Sequence, residues 1–536
     1  MRFAEPLLAI ALISLVPITA ATGCASKLPV AAQSLGRGIQ RVMVDTKSGP
    51  VAGMQAKDGL VAFFGIPYAK PPVGNLRFAP PQEPSRWDNA YPAFSYGAVC
   101  PQSRTRIDPV SQSYNNEDCL SLNVWTPGAD SAGRPVLVFI HGGAFFMGAS
   151  ASSWFDGSNF ARRGDIVVVT INYRLGALGF LYGDNLPGFA AGSGNLGLQD
   201  QVAALRWVRD NIAKFGGNPG QVTIMGESAG SMSVTSLMAI PSAKGLFSRV
   251  IAESGAPTLS RDIKAAEATT GKFMAQTGAT DLAALRALTV TQILDAQSKM
   301  FAEARFGAER MFTPVIDGQF LPKDPMTAIA GGSAAGISLL NGTNSDEFRF
   351  WLYIDPRIAL VSPDMLLGFA PDLAAKLGDS RARIIKFYRD ESPDLTRGQV
   401  AMELATDMIF WMPHIALSEA QAKHGRTWMY LFSWKTPKEG GKYGAHHGLE
   451  LPFVFYNHKQ KGSEVFFGDK APERLADDMN EAWISFIRTG DPQYRHLPEW
   501  PAYDTEKRAT MIFDTKSAVV DDPRRDFRLV WKGVLY

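Results

Sequence analysis

Gly-Glu-Ser-Ala-Gly occupies residues 226–230 and directly follows the apolar run Val-Thr-Ile-Met at residues 222–225. The apolar run predicts a strand, and the flanking glycines permit a tight turn because they carry no Cβ atoms that would collide there. Such a turn would hold the Ser228 hydroxyl at the carboxyl edge of a sheet, within reach of a base. Residues 231–238 then predict a helix whose N-terminus points at the serine. The chain contains 50 glycines, so a chance match to this motif is common and other features must support it.

A second glycine-rich turn lies upstream of the serine. Residues 135–140 have the pattern of a buried strand, which ends in His-Gly-Gly-Ala-Phe at residues 141–145. Backbone N–H groups in such a turn are free to point at a substrate oxygen. An acyl-transfer enzyme needs these donors because negative charge grows on that oxygen in the transition state, and each donor is worth about 3 kcal/mol. The amide of Ala229, directly after the serine, would add a further donor.

The bulk composition is that of a globular protein with a large core. The chain has 536 residues, a net charge of +2, 20% charged residues and 46% hydrophobic residues. This charge balance argues against a nucleic-acid partner. No Pro/Ser-rich linker and no repeat at solenoid or propeller spacing divides the sequence, which favours one large α/β domain with insertions. No pattern indicates an oligomeric state.

The amino terminus has the pattern of an export signal. An apolar run over residues 6–18 follows Arg2, and it is too short for a membrane span. Residues 21–26 resemble a bacterial lipoprotein processing site, at which Cys24 would become the lipidated first residue; simple cleavage nearby is the alternative. We therefore expect a signal peptide at residues 1–23, a linker at 24–40 and a single α/β domain at 41–536. The product would be periplasmic or secreted, or a membrane-anchored lipoprotein attached only through Cys24.

The other two cysteines are expected to pair. Cys100 and Cys119 are an even pair in an exported chain, and the stretch between them is polar and rich in turn residues. A disulfide that closes this loop would contribute about 3 kcal/mol to the free energy of unfolding.

Antiparallel-looking segments come first in the chain and strand–helix alternation follows. This order predicts a mostly parallel central sheet wrapped by helices. Helix-rich stretches at about 265–310 and 365–416 are interpreted as insertions that cap the carboxyl edge of the sheet. The strand-like runs lie at residues 60–65, 120–125, 136–140, 166–171, 222–225, 250–252, 337–340 and 428–432.

A nucleophilic serine needs a histidine to take its proton and a carboxylate to orient the histidine. In the fold that the serine turn implies, the chain order is serine, acid, histidine, which excludes His141. The adjacent pair His446 and His447 lies in a loop after a strand and is the best candidate for the base. The expected acid ends an earlier strand, where Asp346 and Glu347 are adjacent candidates. The other histidines after the serine are His414, His424, His458 and His496. Of these, His424 and His496 are expected to face solvent, and His414 could be packed in the core.

With these features, the chain resembles the type B carboxylesterases, the cholinesterase-like branch of the α/β-hydrolases, from about Val44 to Trp531. The matching motifs occur in consistent order along nearly the whole mature chain. They are FGIPYA at 64–69, PPVG at 71–74, LRF at 76–78, EDCL at 117–120, the glycine turn at 141, NYRLG at 172–176, NLGLQDQ at 195–201 and FGGNP at 215–219.

The resemblance implies a serine hydrolase that cleaves carboxylic esters through an acyl-enzyme, with no cofactor and no metal. It assigns Ser228 as nucleophile, Glu347 as acid and His447, the histidine directly before a glycine, as base. The oxyanion donors would be the amides of Gly143, Ala144 and Ala229.

Further positions match supporting features of the family. The resemblance implies that Glu227, Phe350 and Trp351 line the pocket and that Ser254 is a supporting hydrogen-bonder. It also matches Cys100–Cys119 to the family's first disulfide and Arg77 with Glu117 to its structural ion pair.

Three departures from the family pattern bear on the substrate. Phe348 follows the acid where the family has glycine, so the turn of the acid must be built differently, and Ala144 replaces a third glycine. The family's choline-binding tryptophan lies in the disulfide loop, and here that loop has only Tyr114 as an aromatic residue, which disfavours a choline ester. The same loop carries Arg104 and Arg106, which together with Arg349 could favour anionic esters if they face the pocket mouth; three solvated arginines are the alternative.

Two other functions were weighed against ester hydrolysis. A silent binding protein of the same fold would lack an intact triad, whereas this chain keeps all three candidates. A lipase or an amide or carbamate hydrolase would use the same residues on another substrate, a small molecule in each case.

Overall fold

The computed structural model of the protein describes residues 40–103, 114–304, 310–368, 377–468 and 471–534. The expected signal peptide, Cys24 and all of the expected linker except Gln40 lie outside the described residues, and so do Arg104 and Arg106. Within the described ranges, no helix is both long enough and apolar enough to cross a membrane.

One 13-stranded sheet forms the centre of the molecule. Its strands are β1 (Gln40–Thr46), β2 (Gly49–Gln55), β3 (Val61–Pro67), β4 (Tyr91–Pro92), β5 (Ser121–Thr126), β6 (Arg134–Ile140), β7 (Val167–Ile171), β8 (Gly217–Glu227), β9 (Arg249–Glu253), β10 (Ser338–Asn344), β11 (Thr427–Phe432), β12 (Ala509–Phe513) and β13 (Ala518–Asp521).

The order across the sheet is β1-β2-β3-β5-β7-β6-β8-β9-β10-β11-β12-β13, and β4 pairs with β2. Along this order the neighbouring pairs from β1 to β7 are antiparallel, whereas β4 pairs parallel with β2. Every neighbouring pair from β7 to β12 is parallel, and β13 returns antiparallel to β12. This arrangement confirms the mostly parallel sheet that the strand–helix alternation predicts.

Helices cover both faces of the sheet. Their bounds are Ser158–Gly164, Gly176–Phe180, Leu196–Asn211, Ala229–Leu237, Ile263–Thr277, Leu282–Ala287, Val290–Ala304, Pro325–Ala330, Pro363–Gly368, Ser380–Glu391, Arg397–Thr406, Met412–Gln421, Leu451–Val454, Glu464–Phe467, Glu473–Thr489 and Arg525–Trp531. A π-helical turn, Asp407–Trp411, joins two of these helices, and a 3₁₀ helix, Glu347–Tyr353, follows β10.

The side-chain alternation of β6 shows how the core is divided. Val136, Val138 and Ile140 belong to the core on one face of the sheet, with the helix Leu196–Asn211. Leu137 and Phe139 belong to the core on the other face, with the helix Glu473–Thr489. Because both faces of a central parallel strand are covered, such a strand is apolar along its length rather than alternating.

The sheet is wider than the sequence pattern indicated. The strands β1, β2, β12 and β13 at its edges were not predicted. β1 is half polar, β2 contains Gly49 and Pro50, and β13 has four mostly exposed residues, whereas β12 was missed although it is as long as β7 and β9 and mostly buried. The predicted helical insertions are present: helices fill most of the described residues of the stretches 263–304 and 363–421.

Candidate active site

The serine turn has the strained geometry that its sequence predicts. Ser228 directly follows β8 and has φ 57° and ψ −124°, an unfavourable conformation for a residue with a side chain, and the helix Ala229–Leu237 begins at the next residue. A Cβ on Gly226 would lie 2.3 Å from the carbonyl carbon of Gly230, and a Cβ on Gly230 would lie 2.0 Å from the carbonyl oxygen of Ile140. The two glycines are therefore required by close backbone contacts.

The upstream glycine turn lies directly against the serine. Ile140 pairs with Gly226 in the parallel register of β6 and β8, so the two turns leave the same edge of the sheet side by side. A Cβ on Gly142 would lie 2.9 Å from Cβ of Ser228. Gly143 has φ 104° and Ala144 has φ 52°, which turns the backbone sharply here.

Three N–H groups beside the serine are available to a ligand. In the described part of the chain, the amides of Gly143, Ala144 and Ala229 donate no hydrogen bond to a carbonyl or a side chain. Gly143, Ala144 and Ser228 are partly exposed, whereas Ala229 is buried under the turn. Free donors next to a partly exposed hydroxyl are the arrangement that stabilises an oxyanion.

An acid–base pair lies at the ends of the neighbouring strands. His447 Nδ1 donates to Oε2 of Glu347 at 2.6 Å, and the backbone N–H of His447 donates to the carbonyl of Glu347 at 3.2 Å. The other carboxylate oxygen of Glu347 accepts from the backbone N–H of Asn344 at 2.8 Å. Glu347 is fully buried and His447 is 8% exposed. Glu347 follows β10 and His447 follows β11, so both lie at the edge of the sheet that carries Ser228.

A second carboxylate approaches the other nitrogen of the imidazole. Oε1 of Glu227 lies 3.1 Å from Nε2 of His447, although the two atoms are not aligned as a hydrogen bond. Within the described ranges, no hydrogen bond joins His447 to the hydroxyl of Ser228. Burial opposes the charge on His447, but the negative charges of Glu227 and Glu347 prevail and raise the pKa of His447 to about 9.

Two further buried carboxyl groups lie behind this pair, and sequence reasoning did not assign either of them. Glu450 accepts from the side-chain amide of Asn344, and Glu253 accepts from Nε1 of Trp483 at 2.6 Å. Burial and the neighbouring acids raise the pKa of Glu450 to about 8 and that of Glu227 to about 7, and burial raises the pKa of Glu253 well above its ordinary value. Glu450 belongs to the segment His-Gly-Leu-Glu at 447–450, whereas Glu253 carries no local signal beyond ending a strand.

Aromatic rings surround the imidazole. The ring centroids of Phe350, Trp351 and Phe410 lie 5.9, 5.6 and 5.0 Å from that of His447. Phe350 and Trp351 were predicted to line the pocket. Phe410 was missed because it comes from the π-helical turn, whose sequence is typical of a buried helix.

The remaining histidines near the site have packing roles. His446 is buried, its Nδ1 bonds to the carbonyl of His447, and burial lowers its pKa to about 4. His414 is also buried, and burial lowers its pKa to about 3. The N–H of Gly255 donates to Nε2 of His414 at 2.6 Å, and a Cβ on Gly255 would lie 2.1 Å from the carbonyl oxygen of Ser228. His414 therefore supports the serine turn through Gly255.

Ser254 differs from its expected role. Its side chain is fully buried, and its hydroxyl has no hydrogen-bond partner among the described residues. Its backbone N–H donates to the carbonyl of Gly342 at 2.8 Å, and its φ is 52°. The support that this segment gives to the serine turn is therefore made by the backbone.

The predicted covalent and ionic links around the site are present. A disulfide joins Cys100 and Cys119. Arg77 and Glu117 form a buried, doubly bonded ion pair. Arg349 lies 3.1 Å from Asp346 Oδ1, so its guanidinium is engaged with that carboxylate.

The turn after the acid is indeed built differently from a glycine turn. Glu347 begins the 3₁₀ helix Glu347–Tyr353, and the N–H of Phe348 donates to the hydroxyl of Thr406 at 3.1 Å.

In the described part of the chain, no three His, Cys, Asp or Glu side chains are grouped so that they could hold a metal ion.

Comparison with known proteins agrees with this geometry. The model of the carboxylesterase family matches residues 40–529. The chain is 40% identical to para-nitrobenzyl esterase of Bacillus subtilis over 91% of its length and 97% of that protein. It is 32% identical to phenmedipham hydrolase of Pseudarthrobacter oxydans, over 90% and 97% of the two chains. The crystal structure of the Geobacillus stearothermophilus carboxylesterase superposes with a TM-score of 0.83 at 38% identity, over 92% of this chain and all of that one.

Proposed function

This chain belongs to the carboxylesterase family and is a carboxylic ester hydrolase, and we propose that it works through a triad of Ser228, His447 and Glu347. The observation that carries this assignment is the 2.6 Å bond between His447 and Glu347 at the edge of the sheet that carries Ser228. An acid that orients a histidine, on the same edge as a serine in a strained turn, is the constellation of a serine hydrolase.

In the proposed first step, His447 takes the proton of Ser228 as the serine oxygen attacks the ester carbonyl carbon. The amides of Gly143, Ala144 and Ala229 donate to the oxyanion that forms. Glu347 keeps the proton of the imidazole on Nδ1, so that Nε2 is free to act as the base. The tetrahedral intermediate then expels the alcohol, which leaves with the proton from His447, and Ser228 carries the acyl group.

In the second step, water attacks the acyl-enzyme. His447 takes a proton from the water molecule, the same three amides stabilise the second oxyanion, and Ser228 is released with the proton returned by His447. Each half-reaction uses the imidazole once as a base and once as an acid, so the enzyme ends in its starting state.

The aromatic surroundings of the triad support esters with an aromatic group as substrates. Phe350, Trp351 and Phe410 present ring surface around His447, and an aromatic ring of the substrate could pack against them. A relative that is named a para-nitrobenzyl esterase supports the same substrate class. We infer that small esters of aromatic alcohols react faster than aliphatic esters with the same acyl group.

The remaining features of the chain complete the proposal. Residues 1–23 would direct export, Cys24 would carry a lipid if the segment is processed as a lipoprotein, and residues 41–536 would form one hydrolase domain. Intact mass of the membrane fraction tests the lipid: an unmodified mature chain found only in solution would contradict it.

Hydrolysis of p-nitrophenyl acetate by protein lacking residues 1–24, beside its Ser228→Ala variant, tests the proposed nucleophile. The parent should release p-nitrophenol, and the variant should be slower by about 1,000-fold or more. Equal rates in the two proteins would contradict the proposal. A panel that compares benzyl acetate with ethyl acetate tests the substrate class, and a preference for ethyl acetate would contradict it.

A further inference from the structure

The acid next to Glu347 does not contact the imidazole, and instead bonds with the loop that carries it. The backbone N–H of Asp346 donates to the carbonyl of Ala445 at 3.0 Å. The N–H of Ala445 returns a bond to Oδ2 of Asp346 at 3.2 Å. We call residues 442–447 the histidine loop.

These two bonds join the segment that follows β10 to the histidine loop, which follows β11 along the chain. Ser345 donates its N–H to the carbonyl of Phe432 at 2.9 Å, and His447 donates its N–H to the carbonyl of Glu347 at 3.2 Å. The strand register ends at the pair Asn344 and Phe432, and Ala445 lies in the loop beyond it, where the carboxylate of Asp346 is the acceptor for its N–H. An Asp side chain is suited to this task because it can accept a backbone N–H at the end of a strand.

The histidine loop is shaped to receive this carboxylate. Gly444 has φ 57°, and a Cβ at that position would lie 2.7 Å from Cγ of Asp346. The glycine therefore serves both the turn and the close approach of the carboxyl group. On its other side, Oδ2 of Asp346 accepts from the hydroxyl of Ser345 at 2.9 Å, which fixes the rotamer of the side chain.

We propose that Asp346 is a positioning residue that holds the histidine loop against the end of β10 and thereby keeps the imidazole of His447 on Glu347. This role rests on the proposed function, in which His447 is the base and Glu347 orients it. Asp346 acts only through Ala445 and the loop backbone, so it touches neither the substrate nor the reacting atoms.

The hydrogen bond to Ala445 matters more for this role than the ion pair with Arg349. Asp346 and Arg349 both line a polar cavity of about 180 Å³, together with Lys435, Glu403 and Arg524. The side chains of Asp346 and Arg349 are 12% and 18% exposed, and their ion pair does not involve the N–H of Ala445. A buried N–H left without an acceptor at Ala445 would be the larger loss.

Three variants separate the hydrogen bond from the charge. Asp346→Ala removes both, and Asp346→Asn keeps an oxygen acceptor for Ala445. Arg349→Gln removes the ion pair together with the long 3.5 Å bond from Nη1 of Arg349 to the carbonyl of Lys442. We expect kcat for p-nitrophenyl acetate to fall about 10- to 100-fold in Asp346→Ala with KM unchanged, because a small displacement of a catalytic group costs this much. Asp346→Asn and Arg349→Gln should stay within about 3-fold of the parent. Parent-like kcat in a folded Asp346→Ala variant would overturn the proposal, and so would an equal loss in Asp346→Asn.

The pH profile separates positioning from loss of stability. The largest charge effects on His447 come from Glu227 in the serine turn, Glu347 after β10 and Glu450 after the histidine loop, and the neighbouring His446 also interacts with it. A looser contact with Glu347 would lower the pKa of His447. The rise of kcat/KM with pH on the acid side of the profile, which we call the acid limb, should therefore move to lower pH in Asp346→Ala.

Asp355→Ala is the matched control for that profile. Asp355 is also paired with an arginine, Arg357, and also accepts a backbone N–H, that of the same residue. These bonds of its carboxylate do not involve the histidine loop. The control should lose stability without moving the acid limb. An unmoved acid limb in Asp346→Ala, or an equal displacement in Asp355→Ala, would overturn the proposal.

Amide exchange in the parent protein tests the contact without a substrate and without a variant. The N–H groups of Ala445 and His447 should exchange slowly, because both are bonded to the end of β10. Fast exchange of the peptide that covers residues 442–447 would overturn the proposal, whatever residue proves to be the nucleophile.

Discussion

Oε1 of Glu227 lies 3.1 Å from Nε2 of His447, while Glu347 bonds to Nδ1 of the same ring. The imidazole is therefore held between two buried carboxyl groups, one on each nitrogen. Nε2 is the atom that must take the proton of Ser228 in the proposed mechanism. Because Glu227 directly precedes Ser228, the turn that presents the proposed nucleophile also presents a carboxylate that raises the pKa of the proposed base.

This relationship predicts the pH dependence of catalysis. The raised pKa of His447, about 9, means that the free base becomes abundant only in alkaline solution, so kcat/KM should rise with pH well above the ordinary histidine value of 6.5. Glu227→Gln removes one of the charges that raise this pKa and should move the acid limb to lower pH by about 1 unit or more. The measurement is kcat/KM for p-nitrophenyl acetate from pH 5 to 10.

The exposed Glu464 provides the control for that shift, because it lies on the surface. Glu464→Gln should have the acid limb of the parent. An acid limb that stays in place in Glu227→Gln would show that Glu227 does not act on the base.

Substitution by glutamine should lower kcat strongly at one buried glutamate, Glu347, and leave kcat nearly unchanged at another, Glu253. In Glu347→Gln the amide oxygen should keep the bond from the N–H of Asn344, so the NH2 group faces Nδ1 and favours the wrong tautomer of the ring. We therefore expect kcat to fall about 1,000- to 10,000-fold. Glu253 bonds to Trp483 rather than to the histidine, and its raised pKa favours the neutral acid, which glutamine resembles. Glu253→Gln should keep kcat within about 3-fold. If the two variants lost activity equally, Glu347 would have no special position in the site.

The buried acids also predict how stability depends on pH. Glu450 has an ordinary pKa of 4.5 and a folded pKa of about 8, so the fold favours its protonated form. The stabilisation from this proton is complete below pH 4.5 and is lost as the pH rises towards 8. The free energy of unfolding of the parent should therefore fall over that range, and Glu450→Gln should flatten the decline. Denaturant titrations at pH 5, 6.5 and 8 measure both, and parallel curves for the two proteins would refute the assignment.

The disulfide should stabilise the protein by closing a loop. Its two cysteines are 19 positions apart, for which the loop-entropy estimate is about 3 kcal/mol. The double variant Cys100→Ser, Cys119→Ser should have a free energy of unfolding about 3 kcal/mol lower than that of the parent and a correspondingly lower denaturant midpoint, and reduction of the parent should have the same effect. Identical midpoints for oxidised parent and double variant would contradict this.

The fold and the centre of the site could be predicted because their signals are local. The strand β8, the serine turn and the following helix are contiguous in the sequence, and so are β6 and the glycine turn after it. Their contact then follows from one fact of topology, the parallel pairing of Ile140 with Gly226. The mostly parallel sheet was likewise predicted from the strand–helix alternation along the chain.

What could not be predicted depends on contacts between distant segments. Asp346 and Glu347 end the same strand, and nothing in their immediate sequence distinguishes the acid that bonds to the ring from the acid that bonds to the loop. Phe410 reaches the imidazole only because a π-helical turn directs it there, and Glu253 becomes a buried acid only when Trp483 packs over it. The edge strands β1 and β13 were missed because polar or exposed strands lack the apolar pattern on which the prediction relied.

The acyl-enzyme itself gives the most direct evidence on the role of Ser228. The parent is mixed with p-nitrophenyl acetate, quenched in acid during turnover and digested, and the peptides are measured by mass spectrometry. The acetyl group should be found on Ser228, and the Ser228→Ala variant should carry none. An acetyl group on another residue of the parent, or equal labelling of the variant, would contradict the proposed mechanism.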